Sequence, residues 1–91
     1  MVSGKEINIT ELVQEIKKIE LSKEEKQLND IIFQLKSKRK ERELTQQQLA
    51  DMCNVPRSTI ARTEAYISTP TLPILLKIIN ALDLSLTIND L

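Results

Sequence analysis

The sequence predicts an all-α domain of four to five short helices, closed by one short strand at its C-terminal end. Three observations predict it. Apolar residues recur at helical spacing through most of the chain, capping residues and prolines bound those segments, and only residues 84–90 alternate with a period of two. Ninety-one residues suit a single small domain. Its core has to be aliphatic, because Phe33 and Tyr66 are the only aromatic residues.

The elements follow in order. "NITELVQEIKKIE" carries Leu12, Ile16 and Ile19 at helical spacing, with Thr10 available as a cap, and reads as an amphipathic helix. In "SKEE" Ser22 can cap, and Glu25 three residues on completes a capping-box pattern. The helix it opens carries Leu28, Ile31, Ile32 and Leu35 and runs to about Arg42, with Asn29-Asp30 as a place where it can break in two. Thr45 caps the next helix, whose Leu49, Ala50 and Cys53 face inward. Asn54 stands where the chain must turn sharply, and Asn tolerates a left-handed backbone better than most residues. Pro56 then sets φ for the start of a further helix. Thr71 caps "LPILLKIINALD", with Pro73 acceptable in its first turn. Finally "LSLTIND" alternates Leu84, Leu86 and Ile88 against Ser85, Thr87 and Asn89, a strand pattern.

Composition excludes much chemistry. With no histidine and one cysteine, the usual nucleophile–base pairs and nitrogen/sulfur metal sites cannot be assembled. The only glycine is Gly4, so there is no glycine-rich phosphate loop. No enzymatic activity, metal or cofactor is expected. The polar, charged N-terminus lacks the apolar centre of a secretory segment, and no apolar run approaches a membrane span. A lone cysteine cannot form an internal disulfide, so a soluble cytoplasmic protein is expected. Cys53 itself reads as a small buried hydrophobe rather than a redox sensor.

Net charge is zero but unevenly spread. Residues 1–34 hold five lysines against seven carboxylates, net −2; residues 35–70 hold seven Lys/Arg against four, net +3; residues 71–91 are net −1. A positive centre suits a localised nucleic-acid footprint, although "KSKRKER" taken alone reads equally well as a solvated helix face.

Two features do not fit a monomer. After Thr71, Leu72, Ile74, Leu75, Leu76, Ile78, Ile79, Ala81 and Leu82 cover roughly 220° of the helix, where one core needs only about 100° or slightly more. The terminal strand also has no partner strand in the chain. A two-fold homodimer, with strands paired across the axis and the spare helix face buried, answers both.

Residues 45–65, "TQQQLADMCNVPRSTIARTEA", form a helix, a short turn and a second helix, the arrangement that presents its second helix to the major groove. On that second helix Arg57, Ser58, Ala61, Arg62 and Ala65 share one arc, opposite Ile60, Thr63 and Glu64. The small alanines let the helix lie deep, and arginines on either side reach guanine edges or phosphates.

The stretch "LKSKRKERELTQQQLADMCNVPRSTIARTEA", through to "LKIINALDLSL", resembles the Xre/Cro–C1-type helix-turn-helix family of phage and bacterial repressors, and the resemblance covers about residues 31–84. The "LTQxxLA" start, the turn, the "STIARTE" helix and the "LLKIINALD" helix stand in family order and at family spacing. A terminal strand and an N-terminal extension further resemble the HigA-type and HipB-like antitoxins. The resemblance implies a helical extension at residues 1–21, a helix-turn-helix domain at 22–83 and a dimerisation strand at 84–91. It implies double-stranded DNA contacts by Arg57, Ser58 and Arg62 at base edges, by Thr59 at the backbone, and by Gln46 at a phosphate beside a helix N-terminus. Leu49, Ala50, Val55 and Ile60 fall on the core, and Arg39 with Glu64 at the positions of a buried structural ion pair. Three residues depart from the family: Asn54 and Tyr66 stand where it has glycine, and Pro56 where it has a Ser/Thr cap. Tyrosine at positive φ is strained, so "AYISTP" is expected to take another path.

The resulting expectation is a DNA-binding transcriptional repressor that autorepresses its operon as the antitoxin of a type II toxin–antitoxin pair. Its rivals are a stand-alone phage-type or metabolic regulator, and a toxin-neutralising interaction module with minor DNA binding. The acidic N-terminal stripe of Leu12, Ile16 and Ile19 can pack on its own domain, join the dimer, or dock a small toxin.

Overall fold

The structure is a computed structural model, which describes Thr10 and residues 21–90. Four helices run in order through the described residues: α1 (Lys23–Glu41), α2 (Gln46–Cys53), α3 (Arg57–Glu64) and α4 (Leu72–Ala81). The N-terminal helix over Leu12, Ile16 and Ile19 lies outside the described residues. Thr10 is itself helical and exposed rather than an extended cap.

Local chemistry starts each helix. Ser22 Oγ accepts from Glu25 N–H, and Ser22 N–H donates to Glu25 Oε1, both at 3.1 Å. That exchange holds the Glu25 carboxyl below its ordinary range, chiefly through the backbone bond from Ser22. Thr45 and Gln48 repeat the device at α2, at 3.0 and 2.8 Å, a second capping box that the cap alone did not announce. Thr71 Oγ1 accepts from Ile74 N–H at 3.3 Å, with Pro73 in the first turn of α4. At α3, Pro56 sits at φ −62° and ψ 148° and supplies no side-chain bond.

α1 is continuous for 19 residues, so the break allowed at Asn29-Asp30 does not occur. Two weak helix formers cost about 0.7 kcal/mol each at most. Ile32, Leu35 and Arg39 beyond them are buried and anchor the helix to the rest of the domain.

The core joins all four helices. Leu35, Leu49, Ala50, Cys53, Ile60, Leu75, Ile78, Ile79 and Leu82 form one cluster, with Leu44, Val55 and Leu84 packed at its edge. It is wholly aliphatic but for the thiol, since Phe33 and Tyr66 are both exposed. Fully burying a Leu or Ile side chain contributes about 1.5–3 kcal/mol, so the seven in this cluster carry most of the fold. Burial pushes the Cys53 thiol up, against the opposing charge of Lys77, which leaves it the character of a small hydrophobe.

The expected C-terminal strand is not formed. Residues 84–90 are irregular, and Leu86 and Ile88 are exposed. The reason is topological, because a strand needs a ladder partner and no described residue supplies one. Leu84 alone is docked, through its N–H to Ile79 O at 3.0 Å. On α4 the wide apolar arc divides as its width implies: Leu75, Ile78 and Ile79 are buried, whereas Leu72 remains 60% and Leu76 36% exposed.

Candidate nucleic-acid interface

The site is built on the turn between α2 and α3. Asn54 caps α2 in the left-handed region at φ 55° and ψ 47°, a conformation its short polar side chain tolerates. Its N–H donates to Asp51 O at 3.2 Å, and Val55 N–H donates to Ala50 O at 3.0 Å. Pro56 then starts α3 within two residues, and Thr59 N–H bonds its carbonyl at 3.0 Å. A turn this short fixes the angle between the two helices.

α3 turns Ile60, Thr63 and Glu64 inward, and all three are buried. Arg57, Ser58 and Arg62 are exposed on the opposite side, Ala61 between them is half-buried, and Ala65 is exposed. The arc read from the sequence is therefore a real surface, with two guanidinium groups around a shallow floor of alanine. Thr59 is half-buried, and its carbonyl accepts from Thr63 Oγ1 at 2.8 Å.

Behind that surface lies a buried polar cluster. Arg39 Nε donates to Glu64 Oε2 at 2.7 Å and its Nη2 to Glu64 Oε1 at 2.8 Å, a two-pronged pair with both residues buried. Arg39 Nη1 donates to Leu44 O at 2.6 Å. Gln46 Nε2 donates to Glu64 Oε1 at 3.1 Å. Burial pushes the Glu64 carboxyl up, but the bonds from Arg39 and Gln46 and the charges of Arg39 and Lys36 outweigh it and hold it below the ordinary range. The bond to Glu64 raises Arg39 in turn. Every buried side-chain polar atom among the described residues has a partner.

Gln46 is where geometry and sequence diverge most. Its half-buried amide faces Glu64, 18 residues on, and spends one of its two amide N–H groups there. No sequence pattern pointed to this bond, nor to the Leu44 carbonyl as a ligand of Arg39. Among the described residues, no group of His, Cys, Asp or Glu is arranged to hold a metal, and no helix is long and apolar enough to cross a membrane.

The helix-turn-helix family matches residues 35–89, more than half of the chain. The chain belongs to the Xre/Cro–C1-type helix-turn-helix family. No curated protein and no solved structure matches it. A helix-turn-helix domain of this kind is a DNA-binding regulatory module, and in this helix-turn-helix protein the paired helices are α2 and α3. One departure resolves against expectation. Tyr66 sits at φ 59°, so the loop follows the path that a glycine would take, with tyrosine forced into it. Three bonds hold it there: Tyr66 N–H to Thr63 O at 3.0 Å, and Ile67 and Ser68 N–H to Arg62 O at 3.0 and 3.4 Å.

Proposed function

We propose that this protein is a sequence-specific transcriptional repressor that binds its operator as a homodimer, with α3 in the major groove. The observation that carries this is the exposed arc of Arg57, Ser58 and Arg62 on the second helix of a helix-turn-helix, backed by the Arg39–Glu64 pair. Arg57, Ser58 and Arg62 read base edges, Thr59 lies against the backbone, and Gln46 meets a phosphate with its remaining amide proton. Arg57→Ala or Arg62→Ala then costs about 1–3 kcal/mol and relaxes discrimination at particular base pairs. Gel-shift titrations against a duplex selected from a randomised library measure this. Unchanged selectivity in both variants refutes the docking.

The further proposal is that the repressor is the antitoxin of a type II toxin–antitoxin pair and autorepresses its operon. Support comes from the acidic N-terminal segment, whose Leu12, Ile16 and Ile19 stripe complements a small, basic, nucleic-acid-cleaving toxin. Deleting residues 1–21 is expected to leave folding and operator binding intact while abolishing co-purification of the toxin from the native operon. A deletion that instead lowers thermal stability shows that the segment folds onto its own domain.

A further inference from the structure

The outward arc of α3 offers a short list of chemical groups. Arg57 and Arg62 supply guanidinium groups, Ser58 a hydroxyl, and Ala61 and Ala65 methyl groups. α3 contains no Asn, Gln or Asp. Its one carboxylate, Glu64, is buried and accepts from Arg39 and Gln46. The Thr63 hydroxyl is buried too, and donates to Thr59 O at 2.8 Å. The arc therefore lacks the side-chain amide that pairs with adenine at N6 and N7. It also lacks the carboxylate that accepts from cytosine N4.

Ala61 holds the centre of the arc. It stands four residues after Arg57, three after Ser58 and four before Ala65, with Arg62 beside it. Hydrogen-bonding side chains surround it, and its own methyl group cannot hydrogen-bond. It is half-buried, so that methyl forms part of the floor rather than the rim. A polar base edge pressed against a methyl gives up its water and gains no partner. Only thymine among the four bases presents an apolar group to the major groove, its C5 methyl.

We infer that Ala61 is a specificity-determining residue whose methyl packs on the C5 methyl of a thymine in each operator half-site. The inference rests on the docking of α3 proposed above, and deepens it from a contact surface to a class of operator. Helix geometry sets the position. Arg57 and Ala61 are one turn apart, about 6 Å along the axis, against about 3.4 Å for each base step. The thymine therefore lies within about two base steps of a guanine read by Arg57. Adenine and cytosine are then selected only as the partners of thymine and guanine.

The test uses the full chain and a duplex selected from a randomised library. Replacing the thymine by deoxyuridine removes the methyl and nothing else, and is expected to weaken binding about three- to fivefold. At the same position, 5-methylcytosine paired with guanine is expected to bind more tightly than cytosine, because it restores the methyl on another base pair. Ala61→Gly is expected to bind the thymine and deoxyuridine duplexes equally, and Ala65→Gly to keep the wild-type ratio. The readout is the ratio of two affinities within one variant, so a loss of helix stability cancels. A selected sequence without such a thymine overturns the inference. So does a wild-type ratio within about 1.5-fold of unity at every thymine, or an Ala61→Gly variant that keeps the wild-type ratio. In each of these cases, lost selectivity in Arg57→Ala leaves the docking standing. If no duplex is selected and neither Arg57→Ala nor Arg62→Ala weakens DNA binding, the docking itself fails, and the inference with it.

Discussion

Glu64 is a carboxylate in an apolar setting, held there by donors from two other segments of the chain. Arg39 reaches it from α1 and Gln46 from the first turn of α2. Removing one member of a buried ion pair costs about 3–5 kcal/mol, whereas replacing both by apolar groups is often neutral. Arg39→Met is therefore expected to destabilise the protein severely, and Arg39→Met with Glu64→Met to recover much of the loss; chemical denaturation of both variants checks this. The pH dependence has a definite sign. Because the folded carboxyl titrates below its ordinary 4.5, its contribution is present above that pH and is lost as pH falls through the lower folded value. Gln46→Leu removes one of the bonds that lower it, so acid unfolding is expected to move to higher pH. An acid transition that stays in place shows the Gln46 bond to be energetically idle.

At the scale of elements, starts and ends were unequally legible. Ser22, Thr45, Pro56 and Thr71 announce the helix starts, because capping is a local exchange between residues three apart. Of the ends, only that of α2 carries a local signal, in Asn54. Glycine is the usual mark of a helix end, and the only glycine of this chain is Gly4. Two predictions belong here. Thr45→Ala is expected to cost about 1 kcal/mol, since it orphans the Gln48 N–H. Glu43→Gly is expected to stabilise by about 0.5–1 kcal/mol, the relief of φ 56° less the added freedom of the unfolded chain. Thermal unfolding of the two variants measures both. A destabilised Glu43→Gly variant contradicts the account of these helix ends.

For the whole molecule, the apolar surface is not fully used. Leu72, Leu76, Leu86 and Ile88 are exposed, and a groove opens between α1 and the C-terminal segment, lined by Ile31, Leu35, Lys38, Ile79, Leu84 and Leu86. A second copy is the proposed cover, with residues 84–90 gaining across a two-fold axis the ladder that one chain cannot offer. The full-length protein is expected to sediment as a dimer at tens of micromolar, and deletion of residues 84–91 to weaken association. With two copies, the protected DNA has half-sites about 34–36 Å apart. A full-length monomer at that concentration refutes the dimer.

The sequence by itself determined the helical class, the capped starts, the aliphatic core and the outward arc of α3. Each depends on residues a few positions apart, so spacing alone carries it. The tertiary structure decided what distant residues do to one another. It kept α1 whole through Asn29-Asp30, because packing outweighs weak propensity. It turned one Gln46 amide proton onto Glu64 and drew the Leu44 carbonyl to Arg39. It held Tyr66 at φ 59°, because bonds to Arg62 and Thr63 fix the loop whatever the side chain prefers. It left residues 84–90 without a strand, since alternation marks a capacity to pair and only a partner realises it.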